Sequence, residues 1–321
     1  MFATARMFVD LFLTLIYSTS RLMNINKKLV MTLLVRDEEE IIEQNICFHL
    51  NNGVDFIIVT NNNSVDKTSD ILEKYRKMGY LTYLNQSSET FEQSKWVSNM
   101  ANIAIDKYSA DFLIHVDADE FWYPSHGTLK DCIDDETDLS IVNVVNYLPQ
   151  YNTNDESYLN DNYVVSNGIN CPKEYNKKDV NKYLLYRYHP KIITSSKYRN
   201  IGMGNHVVVD NNGVKPKWNN NIQIHHFPIR SFNNFKTKVI NGGKSLSNNL
   251  ERDLNMGWQW RKWYEIYESG EIERAYKELC MTDKLQEYLM KEIIKYSEVP
   301  KKIRWSKKLF IYRRLRDYFK F

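Results

Sequence analysis

The chain has 321 residues, 43% hydrophobic and 13% aromatic. That is enough apolar side chain for one large α/β domain or two small ones, and too much for a wholly disordered chain. A mean hydropathy of -0.54 and the lack of a long uncharged apolar run exclude a polytopic membrane protein. The net charge of +3 conceals an asymmetry: residues 301–321 hold nine Lys/Arg against Asp317 alone, which leaves the rest of the chain at −5 and argues against nucleic acid as a partner.

In chain order, residues 7–17 are apolar but interrupted by Asp10 and shorter than the roughly 20 residues of a spanning helix. Residues 1–26 therefore read as an N-terminal extension, with 1–22 expected to be dispensable and Met23 just ahead of the first strand. Residues 29–36 (LVMTLLVR) form a continuous apolar run of buried-strand length. A helix is expected over 38–51, stopped by Gly53, then a strand over 54–60 and a helix over 66–78 capped by Ser64 or Asp66. A short strand at 81–84, a helix at 93–108 and a strand at 111–116 follow, with 140–148 again β. Such alternation predicts βαβ units and a parallel sheet.

Residues 150–222 are rich in Asn, Asp, Tyr and Lys and read as an insertion, or a second half of the same domain, with long loops, carrying β-like pieces at 186–188 and 206–209. Residues 231–246 and 257–296 read as helical. The domain at 27–246 is thus expected to precede a C-terminal helical region at 247–321. Cys47, Cys132, Cys171 and Cys280 are widely spaced, with no zinc pattern, as in a protein of a reduced compartment.

Chemistry concentrates where strands end. Asp117-Ala118-Asp119 follows directly on the apolar strand 111–116. In an open parallel sheet, ligands bind beyond the carboxyl ends of the strands, and two carboxylates at i and i+2 there can face one hard cation such as Mg²⁺ or Mn²⁺. A solvated acidic turn is the plainer reading of the same residues. At the end of the first strand, Arg36 can neutralise a phosphate or flank a base, while Asp37, Glu38 and Glu39 also suit a helix N-terminus. The loop Thr60-Asn61-Asn62-Asn63-Ser64 offers amides able to read a heterocycle or a ribose, besides serving as a turn.

Strand, VRDEE, helix, strand, NNNSVDKT, helix and IHVDADEFW, in that order, resemble the nucleotide-sugar-binding half of GT-A glycosyltransferases, in particular the family 2-like group and the related family 92. QSKW ahead of the acidic strand and IHHFPIRS with Phe235, Lys238 and Gly242-Gly243 after it fit the same pattern, over about residues 29–245. The resemblance implies a Rossmann-like, mostly parallel α/β sheet flanked by helices. Asp117 and Asp119 match the Asp-x-Asp that holds Mn²⁺ or Mg²⁺ on the diphosphate, and His226 the late histidine that completes the metal shell. Val35 and Arg36 fall where relatives contact the base. Asn61 and Asn63 stand where many relatives have Asp. Gln93, Lys95 and Asn99 lie where relatives contact the diphosphate or donor sugar, and Arg230 and Lys238 are placed to hold the leaving diphosphate.

The residues agree with this where they can be read alone. A neutral imidazole is a fair third ligand for Mn²⁺, and nearby Arg and Lys stabilise charge on a departing phosphate. A core histidine is the plainer role for His226, and His225 falls on the opposite face of its strand. Family 2-like enzymes invert the anomeric centre, so an acceptor hydroxyl needs a base. His206, at the end of the glycine-bearing loop 202–206, and Asp210 are the candidates, although a hairpin with a surface histidine reads as well. The expected activity is transfer of a sugar from a UDP-sugar to a hydroxyl of a glycan, lipid or protein, with a non-catalytic glycan-binding relative or a nucleotidyltransferase as the alternatives. The expected location is cytoplasmic. The basic, aromatic segment 301–321 suits either peripheral contact with an anionic membrane or a packed terminal helix with its charges in water.

Overall fold

The computed structural model describes residues 27–318 except 87–91, 152–157, 161, 211–212, 248–252, 256 and 281, so the extension at 1–26 lies outside the described residues. The strands are β1 Leu29–Val35, β2 Phe56–Asn62, β3 Leu81–Gln86, β4 Phe112–Asp117, β5 Glu120–Pro124, β6 Leu139–Asn146, β7 Tyr163–Val165, β8 Lys191–Ser195, β9 Lys217–His226 and β10 Ile294–Tyr296. The helices are α1 Ile42–Asn51, α2 Thr68–Lys77, α3 Gln93–Tyr108, α4 Leu129–Cys132, α5 Phe232–Ser247, α6 Trp258–Glu268, α7 Ile272–Leu279, α8 Leu285–Met290 and α9 Val299–Tyr318.

One eight-stranded sheet runs in the order β3-β2-β1-β4-β8-β6-β9-β5. The half from β3 to β4 is parallel, joined by the helices α1, α2 and α3. Beyond β4 it turns mixed, with β8 antiparallel to both β4 and β6, β9 parallel to β6, and β5 antiparallel to β9. The sheet is mostly parallel and flanked by helices, as the resemblance implies. Strands covered on both faces must be apolar on both. In β1, Leu29, Met31, Leu33 and Val35 join one core with α1, while Val30 joins Val97, Met100 and Ala101 of α3 in another.

The ends of the elements follow local chemistry. The first helix begins only at Ile42, because residues 38–41 form turns. Asp66 accepts from the Thr68 backbone N–H at 2.9 Å and so caps α2. Gly53 adopts φ +96°, and a Cβ there would stand 2.9 Å from Thr128 Cβ. Glycine is what allows that turn to close.

The stretch 150–222 differs from its sequence reading. Tyr186 and Val208 make only isolated bridges, to Ile169 and Ile201, and the strands that enter the sheet are β8 and the start of β9. A third core joins Leu148, Val165, Val180 and Leu184 to Phe235, Trp263, Tyr276 and Leu279. The span 257–296 is not one helical run: it holds α6, α7 and α8 and closes in the strand β10, paired with β7. The tail is the helix α9, with Ile303 and Phe310 buried in the first core. Among the described residues no helix is long and apolar enough to cross a membrane.

Candidate active site

Strand ends bring the charged residues together. A cavity of about 710 Å³ opens beyond the carboxyl ends of β1, β2 and β4, lined among others by Val35, Arg36, Glu38, Asn62, Gln93, Asp117, Asp119, His226 and Lys238. This is where an open α/β sheet places its ligand. Ala118, between the two carboxylates, is buried in the core behind them.

Each carboxylate has a lysine. Asp117 Oδ2 lies 2.5 Å from Lys191 Nζ, and Asp119 Oδ2 lies 2.8 Å from Lys238 Nζ. Lys191, on β8, is buried, and its ammonium also stands 3.1 Å from Glu120 Oε1. Burial alone would lower the Lys191 pKa, but Asp117 and Glu120 carry it above the ordinary lysine value. Burial pushes the Glu120 carboxyl up to about 7 against the pull of Lys191. For Asp119 burial works upward too, yet Lys238, His226 and Arg230 outweigh it and hold the group well below the usual carboxylate range.

His226 is oriented from behind. Asn146 donates its amide N–H to the Leu184 carbonyl at 3.1 Å, which leaves its oxygen 2.8 Å from His226 Nδ1 as an acceptor. Nδ1 therefore carries a proton, and Nε2 faces Asp119 Oδ1 at 3.5 Å. His225 points the other way, buried and 3.0 Å from the Tyr147 hydroxyl.

Two carboxylates and a neutral imidazole are donors that Mn²⁺ or Mg²⁺ accepts. Lysine engages the Oδ2 of each carboxylate, and Asp119 Oδ1 faces the histidine instead. Among the described residues no three such donors are gathered tightly enough to close on an ion. The donor types fit a divalent cation; their spacing brings Asp119 and His226 together first.

Other sequence candidates fall elsewhere. Arg230 is buried on Glu38 (2.5 Å), with Asp119 at 4.0 Å, so its charge is neutralised inside the protein and does not line the cavity. Asn61 turns inward: its amide donates to Ser69 at 2.9 Å and its oxygen accepts from Ser64 N–H, so it shapes the loop. Asn63 is exposed with φ +54°, and Asn62 takes the cavity-facing place because β2 runs two residues past its expected end at Thr60. Lys95 and Asn99 are exposed on α3, Lys95 beside Glu92. Asp210 is exposed and bonded to Asn200, outside the cavity. His206 does not line the cavity either: its Nδ1 donates to the Pro190 carbonyl at 2.9 Å, its Nε2 lies against Gly204, and burial lowers its pKa to about 4.

Three participants carry no sequence signal that could have exposed them. Lys191 is a lone lysine in KIITS, Glu120 reads as the start of EFW, and Asn62 is one amide of three. Asn62 Oδ1 is buried with no hydrogen-bond partner among the described residues. Tyr183, Tyr188, Trp260 and Trp263 also line the cavity, with the Tyr188 ring 4.9 Å from that of His226. Gly242 and Gly243 bring α6 against α5: a Cβ on Gly243 would lie 2.2 Å from Tyr264 Cγ, and one on Gly242 3.0 Å from Trp260 Cγ.

The model of glycosyltransferase family 92 matches residues 32–269. The chain belongs to glycosyltransferase family 92. The matched span takes in the end of β1, the two carboxylates, the HHFPIRS segment and both glycines of α5. Among solved structures, this family 92 member is similar to S. aureus TarS 1-349 in complex with UDP, at 13% identity over 89% of this chain and 91% of that one, with a TM-score of 0.36. It is also similar to glucosyl-3-phosphoglycerate synthase from Mycobacterium tuberculosis in complex with Mn²⁺, UDP and glucosyl-3-phosphoglycerate, at 16% identity over 30% of this chain and 35% of that one, with a TM-score of 0.23. Against the longer S. aureus TarS chain the identity is 18% and the TM-score 0.31, and this chain covers 28% of its length. No curated protein matches the sequence.

Proposed function

We propose that this family 92 glycosyltransferase moves a sugar from a UDP-sugar to an acceptor hydroxyl, with Mn²⁺ or Mg²⁺ held by Asp117, Asp119 and His226. The observation that carries the reading is the Asp119 carboxylate lining the cavity, countered by Lys238 and faced by His226 Nε2 at 3.5 Å. Family membership weighs against a nucleotidyltransferase.

In this reading Val35 and Asn62 receive the nucleoside, the unpartnered Asn62 oxygen accepting one of its N–H or O–H groups. Arg36 and Lys238 meet the diphosphate. The bond between the anomeric carbon and the diphosphate oxygen breaks, its electron pair leaving with the nucleoside diphosphate as the acceptor oxygen bonds to the carbon. A bound divalent cation supplies positive charge that stabilises the departing diphosphate. Displacement is inverting, so the acceptor proton passes to a general base on the acceptor side. The half-buried Trp260 gives that side a flat apolar face suited to a sugar ring, which favours a glycan among the acceptor classes. The free thiols of Cys47, Cys132 and Cys171 suit a cytoplasmic enzyme.

A thermal-shift panel of nucleotide sugars, with and without Mn²⁺, tests the proposal. UDP-sugars should raise Tm, and more so with the ion; no shift from any nucleotide would overturn it.

A further inference from the structure

The helix α9 puts its two faces to opposite uses. Ile303, Ser306 and Phe310 are buried, with Phe310 against the rings of Tyr75 and Tyr80 at 5.9 and 5.1 Å, and Asn51 donates to the Ser306 carbonyl at 2.7 Å. On the side turned away from this contact, Trp305, Leu309 and Tyr312 follow one another at helical spacing and are 55%, 47% and 66% exposed. A surface helix ordinarily gives that side to polar residues. Cations border the stripe: Lys301, Lys302 and Lys308 are all exposed, and Lys308 Nζ stands 4.7 Å over the Trp305 ring.

We propose that this outer face of α9 docks on an anionic lipid surface, independently of the reading of the active site. Charge complementarity selects the sign of the partner, since residues 301–321 carry nine Lys/Arg against one Asp. The apolar stripe selects the kind. A leucine between a tryptophan and a tyrosine, with lysines on both flanks, sinks to the boundary between headgroups and acyl chains while the cations reach lipid phosphates. A nucleic acid would meet the cations but give the leucine no place to be buried. Each lysine near an anionic bilayer contributes about 1 kcal/mol. The rest of the chain, at −5, is repelled by the same surface, so the molecule is oriented with α9 toward the lipid.

Vesicle co-sedimentation of the full chain tests this, comparing phosphatidylserine-containing with pure phosphatidylcholine vesicles at low and high salt. The protein should sediment with the anionic vesicles only, and release in high salt. The triple substitution Trp305→Ala, Leu309→Ala, Tyr312→Ala and, separately, Lys301→Gln, Lys302→Gln, Lys308→Gln should each weaken partitioning by roughly tenfold or more. Circular dichroism and Tm should be unchanged, because all six side chains are exposed. If the triple alanine variant loses its fold, quenching of wild-type fluorescence by brominated lipid, set against Trp305→Phe, gives the same answer. Equal binding to neutral vesicles, no weakening in the apolar variant, or binding to heparin without binding to vesicles overturns the proposal. So does a dimer that the alanine variant dissolves while vesicles are ignored.

Discussion

His226 holds its Nε2 3.5 Å from Asp119 Oδ1 because Asn146 fastens the opposite ring nitrogen at 2.8 Å. The ring is thus aimed by a residue of β6 that never reaches the cavity lining. Asn146→Leu should leave the fold intact, free the ring and lower Mn²⁺ affinity by about 10–100-fold. Titration of the ion in the presence of UDP checks this; an unchanged affinity means the ring needs no such support.

Lys191 is buried between Asp117 and Glu120. Removing its charge leaves two carboxylates facing each other without a counter-ion. Lys191→Met should cost about 3–5 kcal/mol, read as a fall in the denaturant midpoint. Adding Glu120→Gln should restore part of that loss, since one of the stranded charges is then gone. Strict additivity of the two substitutions would argue against the pairing.

Helices α5 and α6 touch through glycine. Gly243→Ala would place a methyl group inside the Tyr264 ring contact and should destabilise the protein by about 1–3 kcal/mol. Because pushing α6 from α5 there also shifts Trp260, which packs on the neighbouring Gly242 and lines the cavity, the variant should raise the acceptor KM more than the donor KM. A purely structural contact would lower Tm without separating the two constants.

His49, His115 and His225 are buried, and burial lowers their pKa values to about 4, 3 and 3 from an ordinary 6.5. Between those values and 6.5 the unfolded chain takes up protons that the folded one refuses. Their contribution to stability is complete above the upper limit and is lost as pH falls through the window, at up to about 1.4 kcal/mol per pH unit for each histidine. Thermal unfolding should therefore shift downward from mildly acidic pH, less steeply in His225→Phe. A Tm independent of pH across that range contradicts the burial described.

The parallel half of the sheet was legible because β1, β2 and β4 are buried on both faces and must read as apolar runs. The polar residues that end those runs marked the cavity edge for the same reason. Lys191 was not legible: its role exists only because β8 returns antiparallel beside β4, a long-range pairing with no local pattern. Arg230 shows the converse. Its place near a diphosphate site was readable, but its pairing with Glu38, 192 positions away, was not, and that pairing withdraws its charge into the interior. For Asn61 and Asn62, strand alternation decided which amide faces the cavity, and β2 extended further than its apolar residues indicated.

Calorimetric titration of UDP, with and without Mn²⁺, into the wild-type chain and into Asp117→Asn and Asp119→Asn tests the account most directly. The wild type should bind UDP more tightly with the ion, and both variants should lose that enhancement while keeping their Tm within a few degrees. UDP affinity indifferent to the ion in the wild type, or unchanged in the variants, would contradict it.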